Sequence, residues 1–363
     1  MTTSADVVPG ATPRPGAASL QETRTGVLRE VELAIEALLA AERDRWETGA
    51  PRALVLIDGI GDLVAAGGKR LRPAFCVSGY LAAGGDADEP ALARLAAGLE
   101  LLHVSALLHD DVLDSSDRRR GRPTLHVAQA DAHRAAGWRG GPERFGENAA
   151  ILAGDLALVY ADQLVGGAPP PVLDEWARMR SEMMVGQFLD VSLAAEYDAD
   201  PEASRRIAVC KSGHYSIHRP LSIGALLAGR SDLSASFEEY GRALGEAFQL
   251  RDDLIDAFGD GEVTGKPAGL DFEQHKMTLL LALAVQRDER VRALVLPRGG
   301  GVGRAEAVEL RALLTESGVR AEVEDRVDRL VTRAVSALRD APLSDAWRDE
   351  LASMAHQVAY RDR

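Results

Sequence analysis

The chain has 363 residues, enough for one large domain or two ordinary ones with a substantial core. Its 42 basic and 56 acidic residues give a formal net charge of −14, which argues against general attraction to nucleic acid or to an anionic membrane surface. Ala, Leu, Glu and Arg dominate and aromatic residues make up only 5%, so the composition favours an all-α protein.

The first residues are rich in Pro, Gly, Ala and Ser and show no apolar periodicity, so residues 1–22 are predicted to form a disordered leader. They lack the basic region and apolar run of a secretory signal. Apolar residues then recur at helical spacing, beginning with Leu28 and Val31, and residues 23–363 are predicted to form the folded domain. No apolar stretch reaches the roughly 20 residues needed to cross a bilayer, so no membrane span is expected.

Short Gly- and Pro-rich breaks divide the remaining chain into ten or so helical segments, for example at residues 67–68, 140–142 and 297–301. No Val-, Ile- or Thr-rich alternating stretch interrupts them. The expected architecture is therefore a single all-α domain, a bundle of helices. The two cysteines, Cys76 and Cys210, have no metal-ligand spacing and cannot make a disulfide framework, which favours a reducing cytoplasm.

Two aspartate-rich segments lie far apart in the chain, at residues 110–114 (Asp-Asp-Val-Leu-Asp) and 252–256 (Asp-Asp-Leu-Ile-Asp). Each lies inside an otherwise apolar helical pattern. In a helix, residues four apart share a face, so Asp110 and Asp114 point the same way while Asp111 is turned about 100° from them. The same relation holds in the second motif for Asp252, Asp256 and Asp253.

These paired motifs predict a magnesium site. Carboxylates facing the low-dielectric space between helices are costly unless cations neutralise them. A spacing of one helical turn, about 5.4 Å, suits two carboxylates that share Mg²⁺ ions, which prefer oxygen ligands and leave room for substrate phosphates. The alternative is a solvated acidic helix face, the better interpretation of one isolated motif. Two motifs, each beside apolar residues, favour metal ions that hold a diphosphate.

Basic residues accompany both motifs. Residues 67–73 (Gly-Gly-Lys-Arg-Leu-Arg-Pro) form a basic turn, residues 118–122 contain four arginines, and Lys211 and Lys266 follow later. A lone arginine run is usually solvated surface. Here guanidinium forks and a Gly-Gly-Lys turn can grip phosphate oxygens that the metal ions leave unshielded. The basic residues therefore strengthen the prediction of a diphosphate site.

These motifs, in this order, resemble those of the trans-isoprenyl diphosphate synthase family, in particular its geranylgeranyl diphosphate synthases from actinobacteria. Besides the segments above, the resemblance rests on Gly-Gln-Phe-Leu-Asp at 186–190, Lys-Ser at 211–212, Phe-Gln at 248–249 and Gly-Lys at 265–266. Members of the family condense isopentenyl diphosphate head-to-tail with an allylic diphosphate. The resemblance implies this transferase activity, an antiparallel helical bundle of the isoprenoid synthase type around a central active-site cavity, and a homodimer, as is usual in the family.

The resemblance also implies a role for each motif residue. Asp110, Asp114 and Asp252 would bind Mg²⁺, three ions when the allylic diphosphate is present. Water ligands would be oriented by Asp111, Asp253 and Asp256. The allylic diphosphate would contact Arg119, Gln187, Asp190, Lys211 and Lys266. Isopentenyl diphosphate would lie in a metal-free basic pocket formed by Lys69, Arg72, His103 and Arg120. The allylic cation would be steadied by dipoles near Lys211, Ser212 and Gln249.

The residues before Asp110 are expected to set the product length. In the family the growing chain runs beside the first aspartate helix, and members that stop at farnesyl diphosphate usually have a bulky aromatic residue just before the motif. Here Ser105 and Ala106 are small, and Leu102, about one turn deeper, is a plausible floor. The resemblance therefore implies geranylgeranyl diphosphate as the product, with farnesyl or longer prenyl diphosphates as alternatives.

Two other functions are compatible with parts of this pattern. A class I terpene cyclase also ionises an allylic diphosphate, but its second motif is normally of the Asn/Ser/Glu type and it lacks an isopentenyl diphosphate pocket. A non-catalytic subunit of a heteromeric synthase tends to lose an aspartate motif or a diphosphate-binding lysine. This chain keeps both aspartate motifs and Lys211, which favours an active synthase.

Overall fold

The computed structural model describes residues 17–196, 198–259, 269–273, 276–296 and 303–361. Sixteen α-helices make up most of this described part, which confirms the all-α prediction. Their bounds are α1 Ala17–Glu47, α2 Leu54–Ala65, α3 Leu71–Ala82, α4 Pro90–Leu113, α5 Leu125–Ala136, α6 Pro142–Val165, α7 Pro170–Glu196, α8 Pro201–Ile207, α9 Arg219–Leu227, α10 Ser234–Phe258, α11 Leu270–Glu273, α12 Leu279–Arg287, α13 Glu289–Val295, α14 Arg304–Glu316, α15 Val319–Ala337 and α16 Asp345–Ala359.

The helices outnumber the ten or so predicted because several breaks contain no Gly or Pro pair. Asp288, for instance, ends α12 and also caps α13, where its side chain accepts a hydrogen bond from the Arg290 amide. Ser344 caps α16 in the same way through the Trp347 amide. A single capping side chain therefore divides the helical pattern at places that composition does not mark.

Short non-α segments connect some of these helices. A π-helical segment, Ala208–His218, runs directly from α8 into α9. Turns of 3₁₀ helix occur at Pro51–Ala53 and Ser231–Leu233. The arginine run forms a small hairpin in which β1, Arg118–Arg119, pairs antiparallel with β2, Arg122–Pro123. This hairpin was not predicted, because an arginine run has no alternating apolar pattern.

The first helix begins earlier than the sequence predicts. α1 starts at Ala17, and Leu20 is buried, with an exposure of only 6%. The same apolar face continues with Val27 and Val31, about two and three turns later. Residues 17–22 therefore belong to the fold and not to the predicted leader, because this face packs into the core. The rest of the predicted leader lies outside the described residues.

Helix α4 is a central core helix and carries the first aspartate motif at its C-terminal end. Leu95, Leu99 and Leu102 are buried along it. It packs closely against α6, since a Cβ on Gly98 would lie only 2.6 Å from Val165 Cγ2. Among the described helices, α4 alone is long and apolar enough to cross a membrane, but 67% of its most apolar window is buried inside the fold. That burial is typical of a core helix.

Helix α10 carries the second aspartate motif and lies against the π-helical segment. Gly213 and Gly245 let the two backbones touch, since a Cβ on Gly245 would lie 2.3 Å from Gly213 Cα. Buried hydrophobic residues from α1 through α16 form one continuous core cluster around these elements. The packing brings the π-helical segment and α7 between the two motif-bearing helices and so defines the candidate site.

Candidate active site

Asp110, near the C-terminal end of α4, is contacted from two other elements. Gln187 on α7 donates from Nε2 to Asp110 Oδ1 at 3.1 Å, and Lys211 of the π-helical segment places Nζ 3.5 Å from the same oxygen. Lys211 also pairs with Asp190 Oδ2 at 2.6 Å. Burial raises the pKa of Asp110, but nearby ammonium groups outweigh burial and lower this pKa below its usual range. Four predicted site residues therefore meet here.

Asp114, one turn later, pairs with a lysine that was not predicted. Lys276 Nζ lies 2.6 Å from Asp114 Oδ2 and 3.8 Å from Asp271 Oδ1. Burial opposes the charge of Lys276, but these two carboxylates raise its pKa above the usual value. Lys276 follows no glycine-rich turn. The only local signal is its position just before Thr278, the residue that caps α12.

Asp111 is turned away from the other two aspartates, as predicted, and is buried against Arg119. Arg119 Nε and Nη2 both lie 2.7 Å from Asp111 Oδ1, and Nη2 lies 3.9 Å from Asp110 Oδ2. Burial raises the pKa of Asp111. The β hairpin thus positions Arg119 so that it braces the first motif and borders the Asp110 side of the site.

The basic residues predicted to bind isopentenyl diphosphate lie close to the glycine turn before α3. Arg120 is directly beside this turn, since a Cβ on Gly68 would meet Arg120 Nη2 at 2.8 Å. Arg72, on the first turn of α3, donates from Nη2 to Ser216 Oγ at 2.8 Å. The Arg72 guanidinium also stacks on the Tyr215 ring, 4.2 Å from its centroid. Tyr215 and Ser216, which were not predicted as site residues, therefore belong to this pocket.

His103 faces the same tyrosine, with ring centroids 6.3 Å apart. Burial, followed by the charges of Arg72 and Arg120, lowers the pKa of His103 well below its usual value, so the imidazole is neutral. His103 Nδ1 and Arg72 Nε are buried without a hydrogen-bond partner in the described part of the chain. Buried polar atoms normally have partners, so these two mark a place suited to a polar ligand.

Asp252, the first residue of the second motif, forms an ion pair with Arg361 near the C-terminal end of the chain. The partial burial of Asp252 raises its pKa, while the charges of Arg361, Lys69 and Arg72 oppose that rise. Because the positive charges of Lys69 and Arg72 act on the Asp252 carboxylate, the basic pocket that contains them adjoins the second aspartate motif.

The other two aspartates of the second motif have different partners. Gln249 Nε2 donates to Asp253 Oδ1 at 2.9 Å. Asp253 is buried, and burial raises its pKa well above the usual value. Asp256 Oδ2 accepts a hydrogen bond from the Asp271 amide at 3.2 Å. Gln249, predicted to steady the allylic cation, is therefore engaged with Asp253 in this structure.

A cavity of about 130 Å³ lies between α7, α8, α10 and α12. Its polar wall combines both halves of the site and contains Asp190, Lys211, Gln249, Asp253, Asp271 and Lys276. Apolar residues, among them Ile207 and Leu279, also line it. Burial raises the pKa of Asp271, with the charge of Lys276 opposing it. The cavity thus brings charged residues from both halves of the site to one place.

The donors fit magnesium, although the described residues contain no group of three or more His, Cys, Asp or Glu side chains placed to hold a metal ion. Each predicted ligand instead pairs with a basic residue: Asp110 with Lys211, Asp114 with Lys276, and Asp252 with Arg361. Carboxylate oxygens are the ligands that Mg²⁺ prefers. Because these carboxylates are partly buried, a divalent cation would offset their desolvation cost. The magnesium ligands stay a prediction.

The remaining predicted residues differ in how well they are placed. Lys266 lies outside the described residues, and Ser212 lies in the π-helical segment with a side chain that is not described. On α4, Ser105 and Leu102 are buried and Ala106 is half-buried. Ala106 lies about one turn and Leu102 about two turns before Asp110, on roughly the same face of the helix.

The class of protein is decided by comparison with known families. A profile of the polyprenyl synthetase family matches residues 55–305, which include both aspartate motifs. The chain belongs to the polyprenyl synthetase family. The predicted family and enzyme class are thereby confirmed, and the protein is a prenyltransferase that makes prenyl diphosphates.

The names of this synthase's relatives specify prenyl diphosphates of different lengths. The short chain isoprenyl diphosphate synthase of Methanothermobacter thermautotrophicus is 32% identical over 286 residues, which cover 75% of this chain and 81% of that protein. The octaprenyl diphosphate synthase of Escherichia coli is 30% identical over 308 residues, covering 83% and 88%. A crystal structure of geranylgeranyl pyrophosphate synthase from Corynebacterium glutamicum, complexed with isoprenyl diphosphate and magnesium, aligns with a TM-score of 0.85 at 35% identity, covering 94% of this chain and 99% of that one.

Proposed function

We propose that this synthase makes geranylgeranyl diphosphate from isopentenyl diphosphate and allylic diphosphates. The proposal is carried by α4, where Ser105 and Ala106 before the first motif are small and Leu102, one turn deeper, is fully buried. A hydrocarbon tail that follows α4 from Asp110 would pass Ala106 and stop at Leu102. The similarity to the geranylgeranyl pyrophosphate synthase of Corynebacterium glutamicum supports the same product.

The allylic diphosphate would bind between the two aspartate motifs. The family depends on magnesium, and we assign Asp110, Asp114 and Asp252 as the ligands of three Mg²⁺ ions. Bound there, the metal supplies positive charge that stabilises the negative charge developing on the departing diphosphate. Lys211 and Lys276 already place their ammonium groups at the first motif, and they would donate hydrogen bonds to the diphosphate oxygens.

Isopentenyl diphosphate would lie in the adjoining basic pocket. Lys69, Arg72 and Arg120 would bind its diphosphate, and the neutral His103 would supply one further hydrogen bond through Nδ1, which is buried without a partner among the described residues. Its double bond would attack the allylic cation left by the departing diphosphate, and transfer of a proton to the released diphosphate would give an allylic diphosphate five carbons longer.

The experiment that tests this function is product analysis of the purified chain with isopentenyl diphosphate, Mg²⁺ and, in separate reactions, dimethylallyl, geranyl or farnesyl diphosphate. Geranylgeranyl diphosphate is expected as the main product from each primer. Accumulation of farnesyl diphosphate, or of chains longer than geranylgeranyl, would refute Leu102 as the floor of the channel.

The same reactions separate the rival functions. Turnover by the purified chain alone would exclude a non-catalytic subunit of a heteromeric synthase. Release of a hydrocarbon from geranylgeranyl diphosphate and Mg²⁺, without isopentenyl diphosphate, would instead indicate a terpene cyclase.

We further infer that the synthase is a homodimer. Large hydrophobic side chains are exposed on two consecutive helices: Leu152 at 55% and Val159 at 59% on α6, and Val185 at 57% and Phe188 at 70% on α7. Large apolar side chains exposed on surface helices are candidates for a subunit interface. Light scattering of the purified chain is expected to give the mass of a dimer and a lower mass for Phe188→Glu. A monomeric wild-type enzyme would contradict the inference.

A further inference from the structure

Arg361 lies against the second aspartate motif and is held by it. Its guanidinium forms an ion pair with Asp252 through Nη2. The same group lies over the Phe248 ring, 4.0 Å from the centroid, and Nη2 is 3.5 Å from the Phe248 carbonyl oxygen. The Arg361 side chain is only 10% exposed, so it packs against α10 and is not a solvated side chain.

The residues just before Arg361 are anchored to the fold. Arg251 on α10 donates from Nε to the Ala359 carbonyl at 2.6 Å, and Tyr360 donates its hydroxyl proton to Asp328 Oδ1 on α15 at 2.7 Å. The end of α16 is thereby tied to α10 and α15. Arg361 therefore reaches Asp252 because the fold places it there.

We propose that Arg361 is the counter-ion of Asp252 in the substrate-free enzyme and competes with divalent metal for this carboxylate. The inference rests on the proposed function, in which Asp252 is a metal ligand. A carboxylate oxygen that accepts from a guanidinium has to give up that contact before it coordinates a metal ion in the same direction. Arg361 therefore lowers the apparent metal affinity of the substrate-free site.

The geometry of the ion pair makes Arg361 displaceable. The pair uses a single guanidinium nitrogen, Nη2, while Arg361 Nε is buried without a hydrogen-bond partner among the described residues. A single-armed pair is weaker than a fork that uses two nitrogens. The Asp252 side chain is also 44% exposed, so a hydrated ion can approach it while Arg361 is still bound. A divalent cation carries twice the charge of the guanidinium and can replace it at this carboxylate.

The test is Mn²⁺ binding to the substrate-free protein, measured by electron paramagnetic resonance of the free ion. Arg361→Gln is expected to bind Mn²⁺ about five-fold more tightly than wild type, the size expected for removing a partly exposed ion pair. Arg361→Lys keeps the charge and should bind nearly as wild type does. Arg230→Gln removes an equal charge from an exposed pair with Asp232 and should also leave the affinity unchanged. Unchanged or weaker binding by Arg361→Gln would overturn the proposal.

A second comparison tests that the competition acts through Asp252. In an Asp252→Asn background, Arg361→Gln should no longer change Mn²⁺ affinity, whereas in an Asp114→Asn background the increase should persist. An increase that survives Asp252→Asn would overturn the proposal as well. Thermal unfolding is measured first, and Arg361→Met, which keeps apolar contact with Phe248, replaces the Gln variant if that one fails to fold. Because Mn²⁺ binding needs no turnover, this result is independent of which prenyl product the wild type makes.

Discussion

Replacing Ala106 by Phe should turn the synthase into one that makes mainly farnesyl diphosphate. On α4, Ala106 lies about 6 Å along the helix axis from Asp110, and Leu102 lies about 12 Å from it. A tail blocked at Ala106 instead of Leu102 therefore loses about 6 Å of its path, or roughly one helical turn. That loss is close to the extended length of one five-carbon unit, so the main product should shorten by one unit.

The variant is expected to fold. Ala106 is half-buried and packs at the edge of the core, so part of the added ring enters the space proposed for the tail. Overpacking of this kind costs about 1–3 kcal/mol. For a domain of more than about 250 residues, the melting temperature should fall by no more than about 2 °C for each kcal/mol. A change in product length can then be separated from loss of structure.

The assay is chain-length analysis with radiolabelled isopentenyl diphosphate, followed by dephosphorylation and reversed-phase chromatography. The series Ala106→Val, Ala106→Leu and Ala106→Phe should shift the products progressively towards farnesyl diphosphate. Ala106→Ser changes the side-chain volume little and is the matched control, with no shift expected. An active Ala106→Phe enzyme with the wild-type product distribution would refute the path of the tail along α4.

Other measurements test other parts of the structure. Leu102→Ala should lengthen the main product in the same chromatography, and unchanged length would remove Leu102 as the floor. Asp110→Ala should abolish turnover while its urea unfolding curve stays close to wild type; full activity would contradict the metal assignment. Arg219 forms ion pairs with Glu175 and Glu182. Arg219→Gln should lower the free energy of unfolding, measured in urea, by about 3–5 kcal/mol, because both glutamates lose a largely buried partner. Burial alone would raise the pKa of Glu182, but hydrogen bonds from basic neighbours lower it from 4.5 to about 2. The ionised Glu182 side chain therefore contributes fully to stability above about pH 4.5, and this contribution is lost as the pH falls towards 2. An unfolding free energy of equal size at pH 6 and pH 3 would contradict this contribution of Glu182.

The fold class and much of the site could be predicted because they depend on local patterns. Helical periodicity and low aromatic content indicated an all-α protein without any knowledge of packing. Gln187, Asp190 and Lys211 belong to short motifs, and the structure brings all three to Asp110 or its direct partner. Where a motif recurs as a unit, the sequence carries enough information to identify the residues that meet in the fold.

Two basic residues at the site could not be predicted, because their partners are distant in the chain. Lys276 is 162 residues from Asp114, and Arg361 is 109 residues from Asp252. Neither residue has a periodic or glycine-rich context, and a single lysine or arginine is usually a solvated surface residue. Only the packing of α12 and of the segment after α16 against the motif helices brings them to the carboxylates.

The contact between Gly213 and Gly245 has a mechanical consequence. With two backbones touching and no side chains between them, the π-helical segment and α10 have little freedom to slide or separate. We expect them to move as one rigid body, so that Lys211 and Asp252 keep their spacing while ligands enter and leave. Any movement that brings the two aspartate motifs together around a diphosphate would then take place at the boundary with α4. A methyl group at position 245 would force the two backbones apart and so change the distance between Lys211 and Asp252.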